Sequence, residues 1–296
     1  MANQIIVPIT PSEVSREMVR MANDWGKLTE TELNFIHVRS KNFMQGKRML
    51  FTQDETLKKR DIQQMEKFIK SQKVTAKYSL ASVSGETHLK IIEQEAKLIP
   101  DFILIPAHAH TAFKRVFLGS NTRYILNNSK GSVYIYRKPE KKLNNITIVP
   151  LDYSETNTAL VKSAKIMAKR TDAELVFIHV SDAFSPDTTK PDDILDWDQH
   201  LEEDQQKIEQ QKEMREGQRE KLGNYVADFN IESKYKTVVE FGRAYQHIME
   251  LQKMTDANLI MVAANSSYAE KKNAVGRTAK YLIYDSTCSV YLHKLG

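Results

Sequence analysis

The segment Asp101–Tyr136 decides the fold, because the chain contains its plan twice. It begins with the apolar run Phe102-Ile103-Leu104-Ile105, passes through a polar loop to Gly119-Ser120, and ends with Val133-Tyr134-Ile135-Tyr136. A shift of 157 residues gives Asn258-Leu259-Ile260-Met261-Val262, a polar loop, Gly276-Arg277 and Val290-Tyr291-Leu292. A buried strand followed by a loop and a helix start is how α/β sheets present an anion site at the carboxyl end of a strand. The sequence therefore predicts two copies of one such unit.

The amino-terminal parts of the two copies also match, at a shift of 142 residues. Glu174–Val180 repeats Glu32–Val38 with six of seven residues identical. From Gly242 the shift becomes 157, so the second copy carries 15 extra residues within the charged segment Asp192–Leu222. A charged link with a proline, residues 138–142, separates the copies. We therefore predict one domain over residues 1–139 and a second over 140–296, with a longer charged helical insertion near 190–223.

Strands and helices alternate throughout each copy, which predicts an α/β fold with a mostly parallel sheet and helices on both faces. In the first copy, Ser12 is a candidate helix N-cap. Residues 54–70 and 85–98 have helical apolar spacing, and residues 74–83 alternate as a third strand does.

Composition indicates a cytoplasmic protein without a membrane span or signal peptide, since no apolar run approaches about 20 residues. The one cysteine, Cys288, forbids an intramolecular disulfide, and we expect it to be buried and inert. Residues 1–139 hold 22 basic against 13 acidic side chains, a balance of +9, and the rest hold 21 against 25, a balance of −4. The lysines are scattered along predicted helix faces, which disfavours nucleic acid as a partner.

Four motifs, each occurring in register, resemble the universal stress protein family. They are Ile148-Val149-Pro150-Leu151-Asp152-Tyr153-Ser154, the Phe-Ile-His-Val strand, Phe117-Leu118-Gly119-Ser120, and Cys288-Ser289-Val290. The resemblance covers nearly the whole chain as a tandem pair. It implies two Rossmann-like doubly wound domains, each with a five-stranded parallel sheet, related by a pseudo-twofold. It also implies that the final strands of the two copies are neighbours and that some members bind ATP at the switch point.

The family's ATP loop, a Gly-x-x-Gly, nine residues and then Gly-Ser/Thr, is degenerate in both copies. Its positions hold Pro106, Ala109, Gly119 and Ser120 in the first copy and Ala263, Ser266, Gly276 and Arg277 in the second. Both copies lack the loop glycines, and proline has no N–H to offer a phosphate. The strand-1 aspartate that faces the nucleoside in the family is Asp152 in the second copy and Thr10 in the first. We expect the first copy not to bind ATP with micromolar affinity.

The second copy is therefore the better candidate ligand site. Asp152 follows the first strand, while Arg277 stands at the start of the last helix, where an anion is favoured. The two side chains either hold a small anionic ligand between them or pair with each other across an empty cleft. The ligand-contact residues that we predict are Asp152, Ala263, Asn265, Ser266, Gly276, Arg277 and Thr278, with Thr10, His108, Gly119 and Ser120 as the first-copy set.

Other groups point to structure more than to chemistry. His37 and His179 end equivalent strands, and we interpret both as structural. Asp196, His200 and Asp204 share a helix face, but an acidic solvated helix explains them better than a metal site does. The chain has no Gly-x-Ser-x-Gly elbow, no Walker lysine loop and no paired catalytic carboxylates, which indicates a non-catalytic protein.

Three functions remain open from the sequence. The favoured one is a non-catalytic cytoplasmic stress-response protein that senses a small ligand or binds a protein partner. The second is a protein that binds ATP or another adenine nucleotide with at most slow hydrolysis. The third is an interaction scaffold that uses its charged helical segment. We expect an intrachain pseudo-dimer through the final strands and leave a homodimer of chains open, while the sequence identifies neither the ligand nor the stress signal.

Overall fold

The computed structural model describes residues 3–40, 51–107, 118–181, 197–264 and 275–294, with the side chains of 51–54 and 197–211 left aside. In the first half the elements are β1 (Gln4–Pro8), α1 (Glu13–Thr29), β2 (Glu32–Arg39), α2 (Phe51–Ser71), β3 (Tyr78–Ser84), α3 (Thr87–Leu98), β4 (Phe102–Pro106), α4 (Ser120–Asn128) and β5 (Ser132–Tyr136). In the second half they are β6 (Asn144–Pro150), α5 (Glu155–Thr171), β7 (Glu174–Ser181), α6 (Trp197–Ala227), β8 (Tyr235–Phe241), α7 (Ala244–Thr255), β9 (Ala257–Ala263), α8 (Arg277–Asp285) and β10 (Ser289–His293).

All ten strands belong to one sheet, in the order β3-β2-β1-β4-β5-β10-β9-β6-β7-β8. Within each half the strands are parallel, and the two halves join where β5 runs antiparallel to β10. At this junction Tyr134 lies opposite Tyr291, its own counterpart at the 157-residue shift, so a pseudo-twofold passes between these two residues. The expected adjacency of the final strands is therefore confirmed. Each apolar strand edge is covered by the other, which removes two edges that would favour aggregation.

The helices cover both faces of the sheet, as the alternation of elements predicts. Helices α1, α2, α5 and α6 bury side chains in one apolar cluster, and α3, α4, α7 and α8 contribute to the other. An aromatic group of Phe102, Tyr134 and Tyr291 lies at the centre of the first cluster, with ring centroids 5.7 to 6.4 Å apart. The two halves consequently share one core on this face.

Local capping explains where α1 begins. The hydroxyl oxygen of Ser12 accepts a hydrogen bond from the backbone N–H of Ser15 at 3.2 Å, so the predicted N-cap is confirmed.

Two predicted boundaries are wrong at their amino ends. The third strand begins at Tyr78 and not at residue 74, because Oδ1 of Asn23 accepts the backbone N–H groups of Thr75 and Ala76, at 2.9 and 3.1 Å, and ties them to α1. Helix α3 begins at Thr87, since Gly85 has a φ of +149°, far from helical values. Helix α6 stands in the place of α2 in the second copy and has 31 residues against 21; it ends at Ala227, beyond the predicted segment, while residues 192–196 lie outside the described part.

Each half supplies one cation that caps a helix of the other half. The Arg137 guanidinium, just after β5, donates to the carbonyl oxygens of Ser286 and Ile283 at the end of α8. The Lys294 ammonium, just after β10, donates to the carbonyl oxygens of Leu126 and Ser129 at the end of α4, at 2.7 and 2.8 Å. Both cations meet helix carboxyl ends, where unpaired carbonyls and the helix dipole favour positive charge.

These reciprocal caps, Arg137 and Lys294, are equivalent under the 157-residue shift and so obey the pseudo-twofold. Burial lowers the pKa of Lys294 to about 8 and that of Arg137 to about 10. Such a cost is tolerated only where the buried cation is well hydrogen-bonded. The caps therefore link the two halves by more than strand pairing.

Cys288 is fully buried beside the junction, and burial raises the pKa of its thiol to about 12. Thiolate is the reactive form, so we expect the native protein to resist modification by a thiol reagent such as 5,5′-dithiobis-(2-nitrobenzoate). In denaturant the same thiol should react stoichiometrically. Rapid labelling of the native protein would show that the strand end opens readily.

Within the described part of the chain, no helix combines the length and apolarity that a bilayer crossing requires.

Candidate functional site

The second half contains a crevice at its topological switch point, between β6 and β9. These strands are parallel neighbours, and the connections that follow them lead to opposite sides of the sheet, to β7 and to β10. In open α/β sheets this arrangement leaves a gap at the carboxyl ends of the two strands, where ligands bind. The residues after Pro150 and Ala263 thus face a preformed site.

A cavity of about 220 Å³, which we call the second cleft, occupies this gap. Five of the predicted ligand residues line it together, namely Asp152, Ala263, Gly276, Arg277 and Thr278. Apolar side chains of β7 and α7, including Ile178, Val180 and Ile248, form another part of its wall. Asn265 and Ser266, also predicted here, lie outside the described residues.

The loop that carries Asp152 is held by its own hydrogen bonds. The Asp152 carboxylate accepts the backbone N–H of Ser154 at 3.0 Å, and the side-chain oxygen of Asn157 accepts the backbone N–H of Asp152 at 2.6 Å. Asn157 is buried and was missed by sequence reasoning. Its first-copy equivalent, Ser15, accepts the backbone N–H of Thr10 at 3.3 Å, so a polar residue five positions after each strand-1 site is the signal that would have found it.

Tyr153 fixes the same loop from the other side. Its φ of +60° is costly for a residue with a side chain, so surrounding contacts must hold it. The Tyr153 ring packs against His179 at 4.5 Å and against Tyr225 of α6 at 5.4 Å, and the Lys221 ammonium lies 4.5 Å from its centre. Helix α6 thereby helps to position the Asp152 loop, a role that its charged sequence does not predict.

Arg277 is the first residue of α8 and is exposed at the rim of the second cleft. Gly276 precedes it as the N-cap, and because glycine has no side chain, the first turn of α8 receives no side-chain cap from this position. The N–H of Gly276 donates to the carbonyl of Ala264 at 2.6 Å, and a Cβ at position 276 would lie 3.3 Å from that same oxygen. The close backbone approach therefore favours a residue without a side chain at position 276.

Asp152 and Arg277 do not pair with each other. Among the described residues, no ion pair within 4.0 Å joins the two side chains, although both line the second cleft. The sequence alternative in which they neutralise each other across an empty cleft is therefore wrong for this structure. A carboxylate and a guanidinium on one small cavity are both available to a ligand.

The first-copy residues occupy the equivalent places. Thr10 follows β1, with its hydroxyl 3.5 Å from that of Ser15, and Gly119 is the N-cap of α4, which begins at Ser120. Pro106 ends β4, so this position contributes no N–H. His108 lies outside the described residues.

The two strand-end histidines have backbone partners. Nδ1 of His37 lies 3.1 Å from the carbonyl of Ile9, and Nδ1 of His179 lies 2.9 Å from the carbonyl of Leu151. These contacts support the structural interpretation. No group of three or more potential metal ligands occurs in the part of the chain that the structure describes, and the predicted acidic face at 196, 200 and 204 falls outside the described side chains.

A family model described as the universal stress protein family matches the chain twice, over residues 1–137 and 144–294. The chain belongs to the universal stress protein family. The tandem arrangement indicated by the sequence motifs is confirmed, because two matches together span nearly every residue.

Solved structures share the fold of this tandem universal stress protein over its full length. A universal stress protein from Archaeoglobus fulgidus DSM 4304 has a TM-score of 0.68 at 20% identity, with 100% of each chain covered. A functionally unknown protein from Pseudomonas aeruginosa PAO1 has a TM-score of 0.67 at 13% identity, covering 99% of this chain and 92% of the other. A search of curated proteins gives no match. At these identities the likeness shows the fold, and function must be argued from the site.

Proposed function

We propose that this tandem universal stress protein is a non-catalytic stress-response protein that senses a small anionic ligand in the second cleft. The observation that carries the proposal is the placement of Asp152 and Arg277 on one cavity without an ion pair between them. Asp152 suits a hydroxyl or amine of the ligand, while Arg277 and the start of α8 suit a phosphate or carboxylate.

The size of the cleft favours a compact ligand over a complete nucleoside triphosphate. Its volume of about 220 Å³ is below the roughly 300–1,000 Å³ of typical drug-sized sites. Its apolar wall provides contact for only a small body, and the charged groups lie at the rim. A sugar phosphate, a nucleoside monophosphate or a phosphorylated carboxylic acid has the required combination of hydroxyl and anion.

Two measurements on the full chain test the proposal. Mass spectrometry of small molecules released by denaturing the purified protein should detect a phosphate- or carboxylate-bearing compound. Thermal unfolding with AMP, ATP and inorganic phosphate should then show which of these stabilises the protein, by about 2.7 kcal/mol when the compound is present at 100 times its Kd. Absence of any released anion, together with unchanged melting in all three, would remove the proposal.

The first copy is expected to contribute no ATP site of micromolar affinity. Thr10 replaces the carboxylate and Pro106 removes a backbone donor, and two lost contacts of roughly 1.5–3 kcal/mol each weaken binding by one to four decades. Calorimetric titration of the full chain with Mg-ATP should therefore give at most one site. Two tight sites per chain would contradict this prediction, and a Thr10→Asp variant that gains a second site would show which residue limits the first copy.

A further inference from the structure

The loop between β6 and α5 lies between the second cleft and α6. Asp152 in this loop lines the second cleft. The next residue, Tyr153, is not among the described residues that line the cleft, and its ring packs against Tyr225 of α6 with 5.4 Å between the ring centroids. The Lys221 ammonium, one turn earlier on α6, lies 4.5 Å from the centre of the same ring. Two consecutive residues of one loop therefore meet the candidate ligand site and the long helix.

The backbone of Tyr153 is held from both sides. Its φ of +60° lies in the left-handed region, which is unfavourable for a residue with a side chain. On the cleft side, the Asp152 carboxylate accepts the N–H of Ser154 at 3.0 Å, a hydrogen bond that spans Tyr153. On the helix side, the ring contacts hold the residue, because its buried hydroxyl has no hydrogen-bond partner among the described residues. The left-handed conformation therefore depends on the Asp152 turn and on α6 together.

The first half does not repeat this arrangement. The counterpart of Tyr153 at the 142-residue shift is Pro11, whose ring fixes φ near −65°. The N–H of Ser12, the counterpart of Ser154, donates to the backbone carbonyl of Thr10 at 2.8 Å and not to a side chain of the cleft position. The link between cleft and helix is therefore a property of the second half, which also has the longer helix.

We propose that Tyr153 couples the second cleft to α6, so that a ligand held by Asp152 also fixes α6 more firmly against the sheet. The inference rests on the proposed function and adds the element through which ligand binding is reported. A ligand that orders Asp152 favours the turn that keeps Tyr153 left-handed, and this conformation is the one that packs on α6. Coupling between two sites is reciprocal, so it can be measured from either end and without a ligand.

Hydrogen exchange of the ligand-free full chain tests the coupling from the cleft side. The readout is the exchange rate of the backbone amides of residues 215–227 in α6, with α1 as the internal reference. Asp152→Ala removes the acceptor for the Ser154 N–H, and we expect these amides to exchange about fivefold faster, the effect of one net hydrogen bond on an opening equilibrium. Asp152→Asn keeps an acceptor oxygen and should stay within about twofold of the parent.

Two changes at Tyr153 separate transmission from simple loosening. Tyr153→Phe removes only the unpartnered hydroxyl and should leave the exchange of α6 within about twofold of the parent. Tyr153→Gly accepts the left-handed backbone but has no ring, so α6 should exchange faster. In this Tyr153→Gly background, adding Asp152→Ala should change the exchange of α6 by less than about twofold, because the transmitting ring is already absent. Thr10→Ala in the first half should leave α6 unchanged.

Tyr225→Leu replaces Tyr153→Gly as the uncoupled background if the glycine variant does not fold, since it removes the ring on α6 that Tyr153 contacts. Unchanged exchange of α6 in Asp152→Ala overturns the proposal. An Asp152→Ala effect of the same size in the uncoupled background also overturns it, because the two changes would then act independently. These experiments contain no ligand, so their failure removes the coupling alone, whereas the absence of a released anion removes the proposed function.

Discussion

Replacing Arg137 with alanine is expected to lower the free energy of unfolding by about 2–4 kcal/mol, although the residue does not line the second cleft. The change removes two charge-assisted hydrogen bonds to the end of α8, each worth roughly 1.5–3 kcal/mol, and strands the carbonyls of Ser286 and Ile283. Part of this loss is recovered where water reaches the exposed carbonyls. Denaturant unfolding followed by circular dichroism measures the difference.

Replacing Lys294, the counterpart of Arg137 in the second half, should destabilise the protein to a similar extent. Lys294→Met keeps the apolar stem but removes the ammonium from the end of α4, so we expect a similar loss of about 2–4 kcal/mol. Lys138→Ala is the control, because this exposed lysine pairs only with surface carboxylates, Glu13 at 3.4 Å and Glu17 at 3.5 Å, and should cost less than about 1 kcal/mol. If all three variants lowered the free energy of unfolding by less than about 1 kcal/mol, the two caps would contribute no more to stability than surface ion pairs do.

Replacing Arg277 with alanine is expected to lower the affinity of the second cleft for the proposed anionic ligand by about 10- to 150-fold, the equivalent of about 1.5–3 kcal/mol. The apo protein should melt at an unchanged temperature, because Arg277 is exposed and makes no ion pair with Asp152 in the described structure. Thermal unfolding with and without the compound that stabilises the parent protein gives both numbers. This pattern, affinity lost and apo stability kept, is what a ligand-binding arginine produces.

Two control variants test whether the loss of affinity is specific to Arg277 or follows from removing any nearby positive charge. Lys280→Ala removes an exposed cation one turn further along α8, and Ser120→Ala alters the first-copy equivalent of Arg277. Both should leave the affinity within about twofold of the parent. A lowered apo melting temperature in Arg277→Ala would mean that the guanidinium stabilises the fold, and equal loss of affinity in Lys280→Ala would reduce the site to a diffuse basic surface.

The repeat made much of the fold predictable. Two matched sets of apolar strands specify two equivalent halves, and the apolar ends Val133–Tyr136 and Val290–His293 need each other as cover, so their pairing follows from the sequence. The start of β3 was not predictable, because Asn23 captures the preceding backbone through a contact more than 50 residues away in the chain. The alternation of apolar residues in this segment contains no information about a side chain elsewhere in the chain that takes up its backbone N–H groups.

The candidate site was predictable where chemistry follows topology. Asp152 lies just after β6 and Arg277 begins α8, the helix that follows β9, so both were expected near the switch point between these strands, and both line one cavity. The Tyr153 contacts with α6 were not predictable, since they depend on how side chains from distant segments pack. The reciprocal caps were partly visible in the sequence, because basic residues occupy the equivalent positions 137 and 294. Their partners are backbone carbonyls, which side-chain identities do not reveal.

The joining of β5 to β10 within one chain has a consequence for how the two halves can change. In a symmetric pair of identical chains, every substitution appears on both sides of the axis at once, so a change that improves one site is imposed on the other. Here each residue is encoded separately, and the repeat makes Lys294 the counterpart of Arg137, His293 that of Tyr136 and Asp152 that of Thr10. One half can therefore give up a binding carboxylate while the other keeps it, and the pair still closes its sheet. Covalent fusion therefore lets the two halves diverge at their clefts while the β5–β10 junction is kept.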